Sequence, residues 1–167
     1  YEEFFALQLG LARDRAARAA RPRTAVGLPD QLDRVYEEIV PFSLTGAQER
    51  TLREIRRDLT SPSPMSRLLQ GDVGSGKTVV AGIALAHAVA NGFQGAIMAP
   101  TEILAEQHLQ TLSGLFASAG IQAVLLKGDM PAVAKREALE MIESGEADVA
   151  VGTHALIQDN VSFADLG

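Results

Sequence analysis

Eight consecutive residues carry the clearest chemistry in this sequence: Gly71, Asp72, Val73, Gly74, Ser75, Gly76, Lys77 and Thr78. Gly, four residues, Gly, Lys, then Ser or Thr is the spacing of a phosphate-binding loop. The glycines let the backbone curl until successive N–H groups face one anion. A helix opening at Lys77 adds the positive end of its dipole. Lys77 then suits the β- and γ-phosphates of a nucleotide, and the Thr78 hydroxyl suits a Mg²⁺ ion carried with it. Val79 completes the set expected around the phosphates. The bland alternative is a Gly-rich turn between strand and helix, with no ligand.

Such a loop holds a nucleotide but does not cleave it. Phosphoryl transfer also needs a carboxylate on the metal and a group that orients the attacking water. No apolar-apolar-Asp-Glu stretch follows Gly71. Asp129 is preceded by Gly128, and Asp148 opens a predicted strand instead of ending one. The chain is therefore expected to grip a nucleotide and to hydrolyse it poorly.

The elements that must position this loop follow from spacing. Apolar residues at helical intervals predict a helix over residues 1–20, running into an Arg-rich end and Pro22. Residues 22–43 read as a connector with a short helix over 31–39. A helix over 45–59 opens on Thr45 with Gln48 three residues later, a capping-box spacing. From Arg67 the pattern alternates. Strands are predicted at 68–70, 95–99, 121–126 and 148–151. Helices are predicted at 77–90, 102–118, 131–144 and 155–158, several closed by Gly or Asn-Gly. Four strands separated by helices predict an α/β fold, a parallel sheet with flanking helices in the manner of phosphate-loop nucleoside triphosphatases.

Composition bounds the rest. The 167 residues are 47% hydrophobic and 22% charged, a globular balance. No apolar run approaches the roughly 18 residues of a membrane span, and with no Cys there is no disulfide framework. Three scattered His, at 87, 108 and 154, make no metal site; His87 and His108 read as packing or surface residues. The net charge of -6 is unevenly spread. Residues 1–67 hold 11 basic and 10 acidic side chains, and residues 68–167 hold 4 and 11. An acidic second half argues against autonomous nucleic-acid binding, because phosphate neutralisation needs Lys and Arg. The chain opens on Tyr1 and is expected to be a piece of something longer.

The loop does not stand alone. Residues 41–48 (PFSLTGAQ), 65–78 (MSRLLQGDVGSGKT), 99–108 (APTEILAEQH), 127–129 (KGD) and 151–158 (VGTHALIQ) form an ordered set that resembles the superfamily 2 helicases. Within them the set is similar to the RecG-type bacterial DNA helicases, as is the opening stretch 1–15 (YEEFFALQLGLARDR). The transcription-repair coupling translocases share the style of the phosphate loop but fit the 99–108 and 151–158 segments less well.

The resemblance implies roles. It implies a RecA-like first motor domain over 44–167, preceded by a linking helix and connector over 1–43. It implies ATP with Mg²⁺, and a cytoplasmic bacterial protein that acts on branched double-stranded DNA at stalled forks and Holliday junctions. Gln48 matches a residue that reads the adenine edge, although it also fits the capping box with Thr45. Phe42 or Tyr36 is available to stack on the base, either also suits the core, and the core is the better place for Phe42. Pro100, Thr101 and Glu102 match a segment touching the DNA backbone, and Thr101 equally suits a helix N-cap. Lys127, Gly128 and Asp129 match a second such loop, with Lys127 where Thr is commoner. Thr153 and His154 match a third, and a structural hydrogen-bonding role for His154 fits equally. The resemblance also places an Asp-Glu-Gln-His segment, a second motor domain and a DNA-recognising wedge domain outside these residues. Two other readings stay open: a non-motor nucleotide-binding regulator, and an interaction module with a vestigial loop.

Overall fold

The computed structural model describes residues 42–167 together with Gln8, Leu9, Arg13, Ile39 and Val40. The expected helix over 1–20, the connector, its helix over 31–39 and Tyr36 therefore lie largely outside the described residues.

The first described helix, α1, is Gly46–Leu59. Both bonds of the expected capping box form. Thr45 Oγ1 accepts from the Gln48 amide, and Gln48 Oε1 accepts from the Thr45 N–H at 2.8 Å. Leu52, Ile55 and Leu59 recur at helical spacing, and all three are buried against Val80 and Ile83 of the second helix. That helix, α2, is Lys77–Ala90 and ends at Asn91 and Gly92, the latter with φ +83°.

The rest alternates as expected: β1 (Gly95–Met98), α3 (Glu102–Phe116), β2 (Ala123–Leu126), α4 (Ala132–Ser144), β3 (Val149–Gly152) and a 3₁₀ turn over His154–Ile157. The strands pair in parallel in the order β1-β3-β2, with Ile97 and Leu125 both facing Val151 in register. The central strand β3 is buried throughout. Its alternate side chains serve two cores, as a period of two requires. Val149 and Val151 pack with Ala86, Leu112 and Phe116 of α2 and α3; Ala150 packs with Ala138 and Ile142 of α4. Each Leu, Ile or Phe sealed in these layers contributes about 1.5–3 kcal/mol relative to exposure. α2 and α3 approach closely at Gly82, where any Cβ would meet Leu112 and Leu115.

One expected strand is corrected. Residues 68–70 form no strand, and the described sheet has three strands, not four. Leu68 is 86% exposed. Leu69 and β1 residues Gly95, Ala96 and Ile97 instead line one apolar groove of about 530 Å³, with Val80 and Ala84 of α2 in its wall. Strand geometry needs a hydrogen-bonded neighbour, and this segment pairs with none of the three strands. The chain passes the groove again at its last residues. Leu166 bridges Gln94 in parallel, and the Gly167 N–H donates to the Gln94 carbonyl at 3.0 Å.

Candidate functional site: a phosphate loop and three strand-end loops

The phosphate loop runs from Gly71 into the first turn of α2. Gly74 and Gly76 both sit at φ +81°, the left-handed region that L side chains avoid. Gly76 is one of the pattern's two glycines and Gly74 lies between them, so the loop places glycine where the backbone needs it. A Cβ on Gly76 would also overlap Gln48 Nε2. Gly76 is the N-cap of α2, and no side chain caps that helix. Its two capped neighbours differ: Thr45 caps α1 and Thr101 caps α3. The first-turn N–H groups of α2 thus keep their capacity for an anion.

Lys77 is folded over this loop. Its ammonium donates to the Gly71 carbonyl at 2.7 Å and to the Asp72 carbonyl at 2.6 Å. Both acceptors are neutral backbone carbonyls, which an anionic phosphate oxygen can outcompete for an ammonium. Asp72, Val73, Gly74 and Ser75 are exposed, and Thr78 and Val79 are half-buried at the start of α2. The Ser75 N–H closes a turn onto the Asp72 carbonyl at 3.2 Å. The donors present fit a nucleotide's phosphates. Among the described residues no cluster of three or more His, Cys, Asp or Glu is arranged for a metal ion; Thr78, whose hydroxyl the sequence offers to Mg²⁺, stands in the first turn of α2.

Gln48 couples α1 to the loop. While its Oε1 completes the capping box, its Nε2 donates to the Ser75 carbonyl at 3.0 Å. Each end of the amide is engaged once, which leaves one N–H and one lone pair uncommitted. Phe42 is 51% exposed, which corrects its placement in the core and leaves the ring available. Below the loop, Arg67 pairs with Glu54 and Asp58 of α1 and ties the approaching chain to that helix.

The other site residues stand together at one edge of the sheet. Pro100, Thr101 and Glu102 follow β1, Lys127, Gly128 and Asp129 follow β2, and Thr153 and His154 follow β3. Parallel strands bring their three carboxyl ends to the same side, where α/β sheets carry their ligands. Pro100 and Thr101 are exposed, and the Thr101 hydroxyl accepts from the Leu104 N–H at 3.3 Å. Thr153 is different. It is 3% exposed, and its hydroxyl has no hydrogen-bond partner among the described residues. Its N–H donates to the Leu126 carbonyl, so its backbone holds β3 against β2. His154 is the exposed member of that loop, while His87 is buried in α2.

Lys127 does not stand free as a point charge. Its Nζ lies 2.8 Å from Glu106, 3.3 Å from Asp129 and 3.6 Å from Glu102. The hydrogen bonds to Glu106 and Asp129 push its pKa above the usual lysine value. Glu102 also accepts the Asp129 N–H at 3.2 Å. Glu106 has no role in the sequence reading. The sequence shows only that Glu102 and Glu106, four residues apart, share a face of α3, and not that Lys127 meets them.

The model of the DEAD/DEAH box helicases matches residues 45–166. The chain belongs to the DEAD/DEAH box helicase family. It is 58% identical over 128 residues to the ATP-dependent DNA helicase RecG of Streptococcus pneumoniae, covering 77% of this chain and 19% of that protein. It is 48% identical to the Bacillus subtilis RecG over 99% of this chain and 24% of that one. The chain thus spans about a fifth to a quarter of the length of these curated relatives. In structure it is similar to a RecG bound to a three-way DNA junction, with a TM-score of 0.87 and 43% identity, covering 100% of this chain and 23% of that one. A hypothetical ATP-dependent RNA helicase from Sulfolobus tokodaii shares the fold alone, with a TM-score of 0.55 at 18% identity over 78% of this chain and 35% of that one. The α/β architecture and the helicase resemblance read from the sequence are both borne out.

Proposed function

We propose that these residues are the nucleotide-gripping part of a RecG-like, ATP-driven double-stranded DNA translocase that remodels stalled forks and Holliday junctions in recombination and repair. Residues 44–167 form its first motor domain, and residues 1–43 link that motor to a DNA-recognising domain. The protein works in the bacterial cytoplasm. No helix among the described residues is long and apolar enough to cross a membrane.

The observation that carries the reading is the coexistence of two edges in one small α/β unit. One is an uncapped helix N-terminus behind a glycine loop, with Lys77 folded over it. The other is a row of three strand-end loops. Lys77 and Thr78 carry the nucleotide chemistry: Lys77 exchanges the carbonyls of Gly71 and Asp72 for β- and γ-phosphate oxygens, and the Thr78 hydroxyl is a ligand for Mg²⁺. Bound with nucleotide, Mg²⁺ neutralises charge on those oxygens. Gly71 to Gly76 cradle the phosphates with backbone N–H groups, and Val79 follows them on the helix. Gln48 reads adenine with its uncommitted N–H and lone pair, and Phe42 lies near enough in sequence to cover the base. Pro100, Thr101, Glu102, Gly128, Asp129 and His154 form the DNA-facing edge, steadied by Thr153 and Lys127. A carboxylate that ends a neighbouring strand is missing from these residues, so the chain alone binds nucleotide and turns it over poorly.

The test is ATP hydrolysis by the full-length protein, with linear duplex and with a three-way junction. Junction DNA is expected to stimulate hydrolysis more than linear duplex, and Lys77→Ala to abolish it. Hydrolysis indifferent to DNA, or equal use of GTP, would favour a nucleotide switch instead.

A further inference from the structure

The lysine on the DNA-facing edge is enclosed by acid. Glu106, Asp129 and Glu102 surround one ammonium, and only 18% of the Lys127 side chain is exposed. An ammonium has three N–H donors and no acceptor. Two are committed to Glu106 and Asp129, and the third points into the field of Glu102. Direct contact with a DNA phosphate would break one of these pairs. Three carboxylates against one ammonium also leave the cluster at a net charge of about -2, which repels a phosphate backbone. Without the lysine the repulsion grows.

The same contacts join two elements. Glu106 and Glu102 stand on the first turns of α3, after β1. Lys127 and Asp129 stand on the loop after β2. Glu102 adds a second tie by accepting the Asp129 N–H, and the Lys127 N–H is turned inward onto the Met130 sulfur. The Thr101 hydroxyl, one residue before this cluster, accepts from Leu104 and still has its own proton to donate.

We propose that Lys127 is a positioning residue and not a phosphate contact: it draws the carboxylates of Glu102, Glu106 and Asp129 inward and fixes the loop after β2 on the start of α3, so that Thr101 and the Gly128 backbone meet the nucleic-acid backbone. This deepens the DNA-translocase reading and rests on it. The role explains why a lysine can occupy a loop in an acidic region without supplying affinity by its own charge. It also gives Glu106 a function, as the acid whose repulsion the lysine cancels.

The test uses the full-length protein with Lys127→Met, Lys127→Arg and the double variant Lys127→Met with Glu106→Gln. Duplex DNA affinity is measured by fluorescence anisotropy across a salt series, and amide exchange is followed at residues 128–130. Lys127→Met is expected to weaken DNA binding about fivefold, the scale of coupling between neighbouring charges. The slope of log affinity against log salt should stay unchanged, since no phosphate contact is lost. The double variant should recover most of the affinity, and Lys127→Arg should retain it. Amide exchange at 128–130 should quicken in Lys127→Met. A slope that falls by about one with no rescue by Glu106→Gln would make Lys127 a phosphate contact and overturn the proposal. Unchanged exchange in Lys127→Met would overturn it as well. If the unmodified protein binds no duplex, the DNA reading fails by itself, and the exchange at 128–130 still decides whether Lys127 positions the loop.

Discussion

The phosphate loop and the strand-end edge are built from different materials. The loop is backbone. Two glycines at φ +81° shape it, its side chains are mostly exposed, and a single lysine lies across it. The strand-end edge is side chain. A threonine caps α3, a caged lysine joins the loop after β2 to α3, and a buried threonine backbone secures the central strand. A backbone site depends on which residues can adopt a conformation. A side-chain site depends on which distant residues meet. The first should fail sharply when one position changes, and the second should degrade gradually.

The largest effect is expected at Lys77. Lys77→Ala removes a charged donor from the nucleotide, and hydrogen bonds to charged groups contribute about 1.5–3 kcal/mol each. ATP-analogue affinity, read by fluorescence anisotropy, should fall at least about tenfold, while thermal stability changes little. A comparable loss of thermal stability would show that the lysine holds the loop and does not chiefly hold the ligand. Next is Gly76→Ala. Left-handed backbone costs an L residue about 1–2 kcal/mol, and the new Cβ overlaps Gln48. Calorimetry should find the chain destabilised by at least that amount, with nucleotide binding weakened in parallel. The control is Gly92→Ala, which has a similar φ but meets nothing within 4 Å; it should cost stability alone.

Smaller effects are expected at the strand-end edge. Thr101→Val removes the α3 cap and should lower stability by about 1 kcal/mol, with nucleotide affinity untouched; a drop in nucleotide affinity would erase the distinction between the two edges. The smallest is a pH effect. The Lys127 pKa is raised, so its stabilising contribution is fully present below the ordinary lysine value of about 10.4. It is lost only as pH rises through the higher folded value. Protection at residues 128–130, corrected for intrinsic exchange, should therefore stay flat from neutral pH to about pH 9. A decline over that range would mean that the lysine is not held by its carboxylates.

The contrast also explains what could be read from the sequence. A backbone-built site must be written in local residue types, so Gly74, Gly76 and Lys77 announced both the loop and the start of α2. The Thr45–Gln48 capping box announced α1 in the same way, and Asn91-Gly92 its end for α2. The helices from α1 onward and most strands were therefore legible to within a few residues. The exception is 68–70, whose apolar texture suits a strand but which has no partner among the described strands; pairing is a non-local property. Side-chain meetings were equally hidden. Nothing near Lys127 in sequence reveals Glu106, 21 residues away. Nothing near Gln48 reveals the Ser75 carbonyl, 27 residues on. Phe42 looked like core because it is apolar, and exposure of a single aromatic carries no local signature.

The central claim is that the 71–78 loop is a working nucleotide grip. Thermal unfolding of this chain with and without saturating Mg-ATP tests it most directly, because a ligand that binds only the folded state must raise its stability. A raised midpoint is expected with Mg-ATP, a smaller rise with Mg-GTP, and no rise in Lys77→Ala. An unchanged midpoint, or an equal rise in Lys77→Ala, would contradict the claim.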